Sequence, residues 1–124
     1  MMKSTQDLIE EELENLCRQG KFEAFLLFNA EGIPMAGVDF TDQFNTDGLA
    51  ALSVVLNQSV ELTEEFQTHA LVDEVSLRIS SSHRIVSRPF LVEDVKMILL
   101  AIVPNRQAYR RITTTAIHRI QKLF

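Results

Sequence analysis

The sequence predicts an α+β sandwich, a five-stranded antiparallel sheet with helices on both faces, in the order α-β-β-α-β-β-β-α. Three observations carry this expectation. Phe25–Phe28 and Val95–Val103 are apolar on both faces, which marks two central strands covered above and below. Hairpin-length links join the strand stretches, which favours antiparallel pairing. Leu49–Phe66 repeats its apolar side chains at helical spacing and is the element around which the rest is organised.

Taken in order, Ser4 and Asp7 form a near capping box that opens a first helix. Leu8, Ile9, Leu13, Leu16 and Cys17 make its apolar stripe, and Glu10, Glu11, Glu12 and Glu14 are expected to face water. Gly20 is expected to end it in the left-handed conformation. Phe22–Ala30 reads as a strand, Asn29-Ala30-Glu31-Gly32 as a turn with positive φ at Gly32, and Ile33–Val38 as the return strand. Pro34 cannot donate to a ladder, so that strand belongs at an edge. After the polar loop Asp39–Asp47, Thr46 or Asp47 is expected to cap the long helix.

At about 100° per residue, the long helix has two neighbouring apolar sectors. Leu49, Leu56 and Val60 form one; Ala51, Val55, Leu62 and Phe66 form the other, with Leu52 between them. Asn57, Glu61, Glu64 and Glu65 hold the opposite side, where Val54 is the one apolar exception. An arc this wide exceeds what one sheet needs, which points to a sheet-facing sector and a partner-facing sector.

His69–Asp73 leads to a strand in which Val75, Leu77 and Ile79 alternate with Ser76, Arg78 and Ser80, one face expected buried and one wet. Ser80-Ser81-Ser82 reads as a turn, Arg84–Arg88 as a strand ending before Pro89, and Val95–Val103 as the last strand. Asn105 is expected to cap a final helix with the stripe Tyr109, Ile112, Ala116, Ile120 and Leu123, opposite Arg110, Thr114, His118 and Gln121.

The 124 residues are one domain's worth of chain, and 46% apolar with 23% charged residues is ordinary globular composition. The lone Cys17, the acidic rather than apolar start and the brevity of the longest apolar run predict a cytoplasmic protein without membrane insertion. The net charge of −5 argues against a nucleic-acid partner. Residues 1–65 hold 13 acidic and 3 basic side chains and residues 66–124 hold 4 and 9, an asymmetry read as complementary faces.

No chemistry-bearing constellation emerges. The glycines are scattered and no phosphate-cradling Gly-Lys-Ser/Thr occurs, so the chain is not itself a GTPase. His69, His83 and His118 stand far apart and, with one Cys, offer no metal spacing. The serines beside His83 read as turn residues, and the adjacent carboxylates of the Glu runs do not converge. Arg110 and Arg111 could supply charge to a partner's nucleotide, but a solvated helix face explains them more simply. Catalytic, cofactor and metal sites are therefore all expected to be absent.

FLLFNAEGIPMAG (Phe25–Gly37), the long mixed helix after it and VPNRQAYRRI (Val103–Ile112) together resemble the roadblock family, the dynein-light-chain type of regulatory domain. The resemblance covers nearly the whole of residues 1–124. It implies the long helix on one face of the sheet and the two terminal helices on the other. It also implies a homodimer in which long helices pair and third strands join edge to edge, placing Ala51, Leu52, Val55, Ser59, Leu62, Phe66, Val75 and Leu77 at the interface. Family members bind Ras-like small GTPases or serve as scaffolds, and some stimulate GTP hydrolysis. By that resemblance this chain is a non-catalytic regulatory module that binds a small GTPase; the residues expected to be exposed on the paired long helices, Val54, Asn57, Gln58 and Glu61, would form part of the GTPase-facing surface. The alternative is a small-molecule sensor domain of profilin or PAS-like type, which needs an internal pocket with convergent polar groups.

Overall fold

The doubly apolar stretches take the middle of the sheet, because only covered strands gain from apolar side chains on both faces. The computed structural model describes residues 2–41, 43–67, 71–80 and 82–124. Its elements are α1 (Thr5–Gly20), β1 (Ala24–Asn29), β2 (Pro34–Asp39), α2 (Thr46–Phe66), β3 (Val75–Ile79), β4 (His83–Val92), β5 (Val95–Pro104) and α3 (Arg110–Lys122). The strands form one antiparallel sheet in the order β2-β1-β5-β4-β3, with β5 central and β2 and β3 at the edges. Class and element order are those the sequence predicts.

The alternating residues of the central strands feed two separate cores. Phe25, Leu27, Leu99, Ala101 and Val103 pack under Ile9, Leu13 and Leu16 of α1 and Ala116 and Ile120 of α3. Ala24, Leu26, Phe28, Ile98, Leu100 and Ile102 pack under Leu49 and Leu56 of α2. The long helix thus has one face of the sheet to itself.

The expected capping box opens α1: Ser4 Oγ accepts from the Asp7 N–H, and Asp7 accepts from the Ser4 N–H. The helix ends differently from expectation, since the left-handed residue is Lys21 (φ 58°) rather than Gly20. Gly20 is needed for space, because a Cβ there would sit 2.9 Å from the buried Phe22 ring. The Glu run is also less solvated than expected. Glu10 accepts from the Gly37 N–H (3.0 Å), satisfying the outer side of edge strand β2, and Glu12 pairs with Arg119 of α3 (2.9 Å).

Two further expectations are corrected. β4 does not stop before Pro89 but continues to Val92, with Pro89 opposite Ile98. β3 reaches only as far as Ser87 on β4, so Pro89 has no strand on its other side and no ladder bond to lose. Nor does Asn105 cap α3: the helix starts after Tyr109, without a side-chain cap. Its buried stripe is Thr113, Ala116, Ile117 and Ile120, flanked by half-buried Tyr109, Ile112 and Leu123. His69 and Ser81 lie outside the described residues.

Candidate interaction surface

The long helix is started by Asn45, whose Oδ1 accepts from the Gly48 N–H at 3.0 Å, in place of the expected Thr46 or Asp47. Its two apolar sectors separate as their angular positions dictate. Leu49, Leu56 and Val60 are buried against the sheet. Val55, Leu62 and Phe66 are 57%, 65% and 91% exposed, and Ala51 and Ser59 are exposed with them.

Around this apolar stripe the polar groups are turned inward. Ser53 Oγ donates to the Ala50 carbonyl (2.7 Å), Ser59 Oγ to Leu56 (2.6 Å) and Thr63 Oγ1 to Ser59 (2.8 Å). Hydroxyls that bond back to their own helix make no demand on water or on another side chain. The stripe can therefore be covered at little polar cost.

The β1–β2 turn defines one flank of α2. Asn29 Oδ1 accepts from the Glu31 and Ile33 N–H groups (3.0 and 2.9 Å), and Gly32 adopts φ +83° as expected. A Cβ on Gly32 would lie 2.7 Å from Val54 Cγ2 and 3.0 Å from the Ala50 carbonyl oxygen. Val54 is therefore half-buried beneath this turn rather than a freely exposed valine. Asn57 is likewise not a surface residue: it is 6% exposed, with Nδ2 donating to Glu61 Oε1 at 3.3 Å. The approach of the turn covers Val54 on a flank that the wheel alone leaves open, whereas Asn57 is buried with Leu49, Ser53, Leu56 and Val60 of the same helix. Gln58 and Glu61 are exposed.

On the other flank, half-buried Leu52 of α2 and Val75 of β3 pack on the same core. The expected buried face of β3 is not covered beyond Val75: Leu77 and Ile79 are 39% and 42% exposed. In the ladder Leu77 stands opposite Ile85, which lies under α2, so Leu77 and Ile79 are on the α2 side of the sheet. As an edge strand, β3 also presents one row of backbone N–H and C=O groups without a neighbouring strand. The structure thus places an apolar helix stripe and an open sheet edge on the same side of the molecule.

The rest of the surface is built from ion pairs and one recess. Before β3, Asp73 and Glu74 are held by Arg110 at the start of α3 (2.5 and 2.8 Å), and Tyr109 Oη donates to Glu74 at 2.6 Å. The bond from Arg110 holds the Asp73 carboxyl below its ordinary pKa, and the bond to Glu74 raises that of Tyr109. Buried Arg88 donates to the Asp73 carbonyl (2.8 Å) and to Thr113 Oγ1 (2.7 Å). Beside the end of α2, a recess of about 410 Å³ is lined by Val60, Leu71, Pro89 and Phe90 with Glu64 and Lys96, and Glu64 accepts from the Val72 N–H. His83 lies 2.5 Å from Glu23 at the start of β4, and His118 is on α3. Among the described residues no helix is long and apolar enough to cross a membrane.

No family model matches the chain, and no curated protein matches it in sequence. Solved structures do match in fold. Myxococcus xanthus MglB superposes with a TM-score of 0.76 at 13% identity, over 99% of this chain and 89% of that one. An MglB structure described as having a tetrameric arrangement gives 0.82 at 12% identity, over 99% and 92%. A Roadblock/LC7 domain from Streptomyces avermitilis gives 0.70 at 13% identity, over 91% of each chain. The chain has the roadblock fold.

Proposed function

We propose that residues 1–124 act as one roadblock-type module, that two copies pair through α2 and β3, and that the pair regulates a Ras-like small GTPase in the cytoplasm. One observation carries the reading: Val55, Leu62 and Phe66 form an uncovered apolar stripe on the side of the sheet where edge strand β3 is also uncovered. A two-fold axis beside that edge lets the same patch meet itself, with Ala51, Leu52, Val55, Ser59, Leu62, Phe66, Val75 and Leu77 in the seam. Each large apolar side chain fully removed from water contributes about 1.5–3 kcal/mol. Pairing β3 with its copy satisfies the open backbone row as well.

The GTPase is received on the outer flank of the paired helices, where Gln58 and Glu61 are exposed and Val54 meets the β1–β2 turn; Asn57 supports this flank from beneath. The module itself performs no chemistry, and the resemblance to the roadblock family supplies the class of partner. Arg110 is committed to Asp73 and Glu74, so regulation works through preference for one nucleotide state rather than through that side chain. Light scattering should give twice the chain mass. Titration against Ras-like small GTPases should show tighter binding in either the GDP or the GTP-analogue form, together with an altered hydrolysis rate. A monomeric mass, or no binding in either form, would remove the reading. In that event the recess beside Glu64 and Lys96 favours the small-molecule sensor.

A further inference from the structure

Arginine is concentrated where β3, β4, the β5–α3 connection and the first turn of α3 come together. Arg84, Arg106, Arg110 and Arg111 line one open recess of about 540 Å³ with Gln107, Ala108 and Tyr109, and among the described residues no acidic side chain lines it. Arg78 stands directly opposite Arg84 in the β3–β4 ladder, although like charges so placed cost stability. Val103, opposite Arg84 on β5, belongs to the core beneath α1 and α3. The recess therefore lies on the face away from α2 and is independent of the pairing and GTPase reading.

The local carboxylates do not neutralise this cluster. Asp73 and Glu74 are both engaged by Arg110, and Glu74 also accepts from Tyr109. The Arg84 guanidinium lies 5.5 Å from the centre of the Tyr109 ring and has no carboxylate partner among the described residues. Among the described residues Arg106 and Arg111 have no ion-pair or hydrogen-bond partner for their side chains, whereas Arg18 and Arg119 each hold a glutamate. Arg106 also occupies φ 72°, a backbone conformation that glycine would adopt with less strain. Guanidinium groups arriving from three elements suit an anion with several oxygens pointing in different directions better than a two-oxygen carboxylate.

We propose that this recess binds a phosphate group, carried by a soluble ligand or by a lipid headgroup, through Arg84, Arg106 and Arg111. Inorganic pyrophosphate, added at fixed ionic strength to the ¹⁵N-labelled protein, reads the soluble arm. Sedimentation with phosphatidylcholine vesicles, with and without phosphatidic acid, reads the lipid arm. The expected result is saturable binding in at least one arm, with amide shifts confined to residues 84 and 106–112 in the pyrophosphate case. Arg106→Ala and Arg111→Ala should each weaken it about tenfold, the effect of losing one charge-assisted hydrogen bond. Arg119→Ala, at the far end of α3, should leave it unchanged, and unaltered amide shifts elsewhere would show that the variants fold. The proposal is overturned by no saturable response in either arm at millimolar ligand. It is equally overturned by an equal response to acetate, or by binding that survives both recess substitutions.

Discussion

Replacing Val55 by glutamate separates the two sectors of α2 most sharply. Val55 is already 57% exposed in the single chain, so the substitution should cost the isolated fold little. In a two-fold seam the loss is larger. Covering the remaining half of the side chain contributes about 1 kcal/mol per copy, and the symmetry doubles it. The two carboxylates, held partly dry without partners, together add at least about 2 kcal/mol more. At 1.4 kcal/mol per decade, a total near 4 kcal/mol raises the dimer dissociation constant about a thousandfold. Val60→Glu, five residues on and 2% exposed, should instead unfold the chain, because that side chain is buried. Light scattering over a dilution series gives the mass, and urea unfolding of each variant gives stability. If Val55→Glu keeps the wild-type mass, the seam is elsewhere. If it unfolds as readily as Val60→Glu, the division of the helix into two sectors is wrong.

Gly32→Ala should destabilise by more than about 2 kcal/mol in urea unfolding, because positive φ and a Cβ 2.7 Å from Val54 Cγ2 act together. The Cys17 thiol, pushed up to about 12 by burial, should resist a thiol reagent at pH 8 in the native protein and react promptly in denaturant. Asp73 titrates below its ordinary 3.8, so its contribution is present above that value and fades as the pH falls through the lower folded one. Asp73→Asn should therefore cost less than about 1 kcal/mol at pH 7, since solvent screens this exposed pair, and nothing once wild-type Asp73 is protonated. Unfolding curves of both proteins across that pH range check it.

Hydrophobic periodicity carried the architecture because it encodes burial directly. Phe25–Phe28 and Val95–Val103 read as central strands and are interior to the sheet, and the long helix read as two apolar sectors, but only the structure shows that Leu49, Leu56 and Val60 are the covered one. What stayed hidden depends on neighbours distant in sequence. Pro89 ends a strand only when both sides of that strand are paired, and β3 leaves one side open. Gly20 follows the common rule for a helix end, yet here it makes room for a ring two residues on, and Lys21 takes the left-handed turn. Val54 sits on a helix flank that the β1–β2 turn covers, and nothing local signals that approach.

The charge asymmetry shows the same limit. Complementary faces account for part of it: Arg119 reaches Glu12, and Arg110 holds Asp73 and Glu74. Arg88 is used internally, against a carbonyl and two threonine hydroxyls. Among the described residues Arg78, Arg84, Arg106 and Arg111 are left without a carboxylate, and chain connectivity alone does not require them to meet. They meet because β3 pairs with β4 and because the β5–α3 connection folds back beside Arg84. Gathering like charges in one place works against folding, so complementarity accounts for the paired arginines and leaves this cluster to be explained by an anion that it binds.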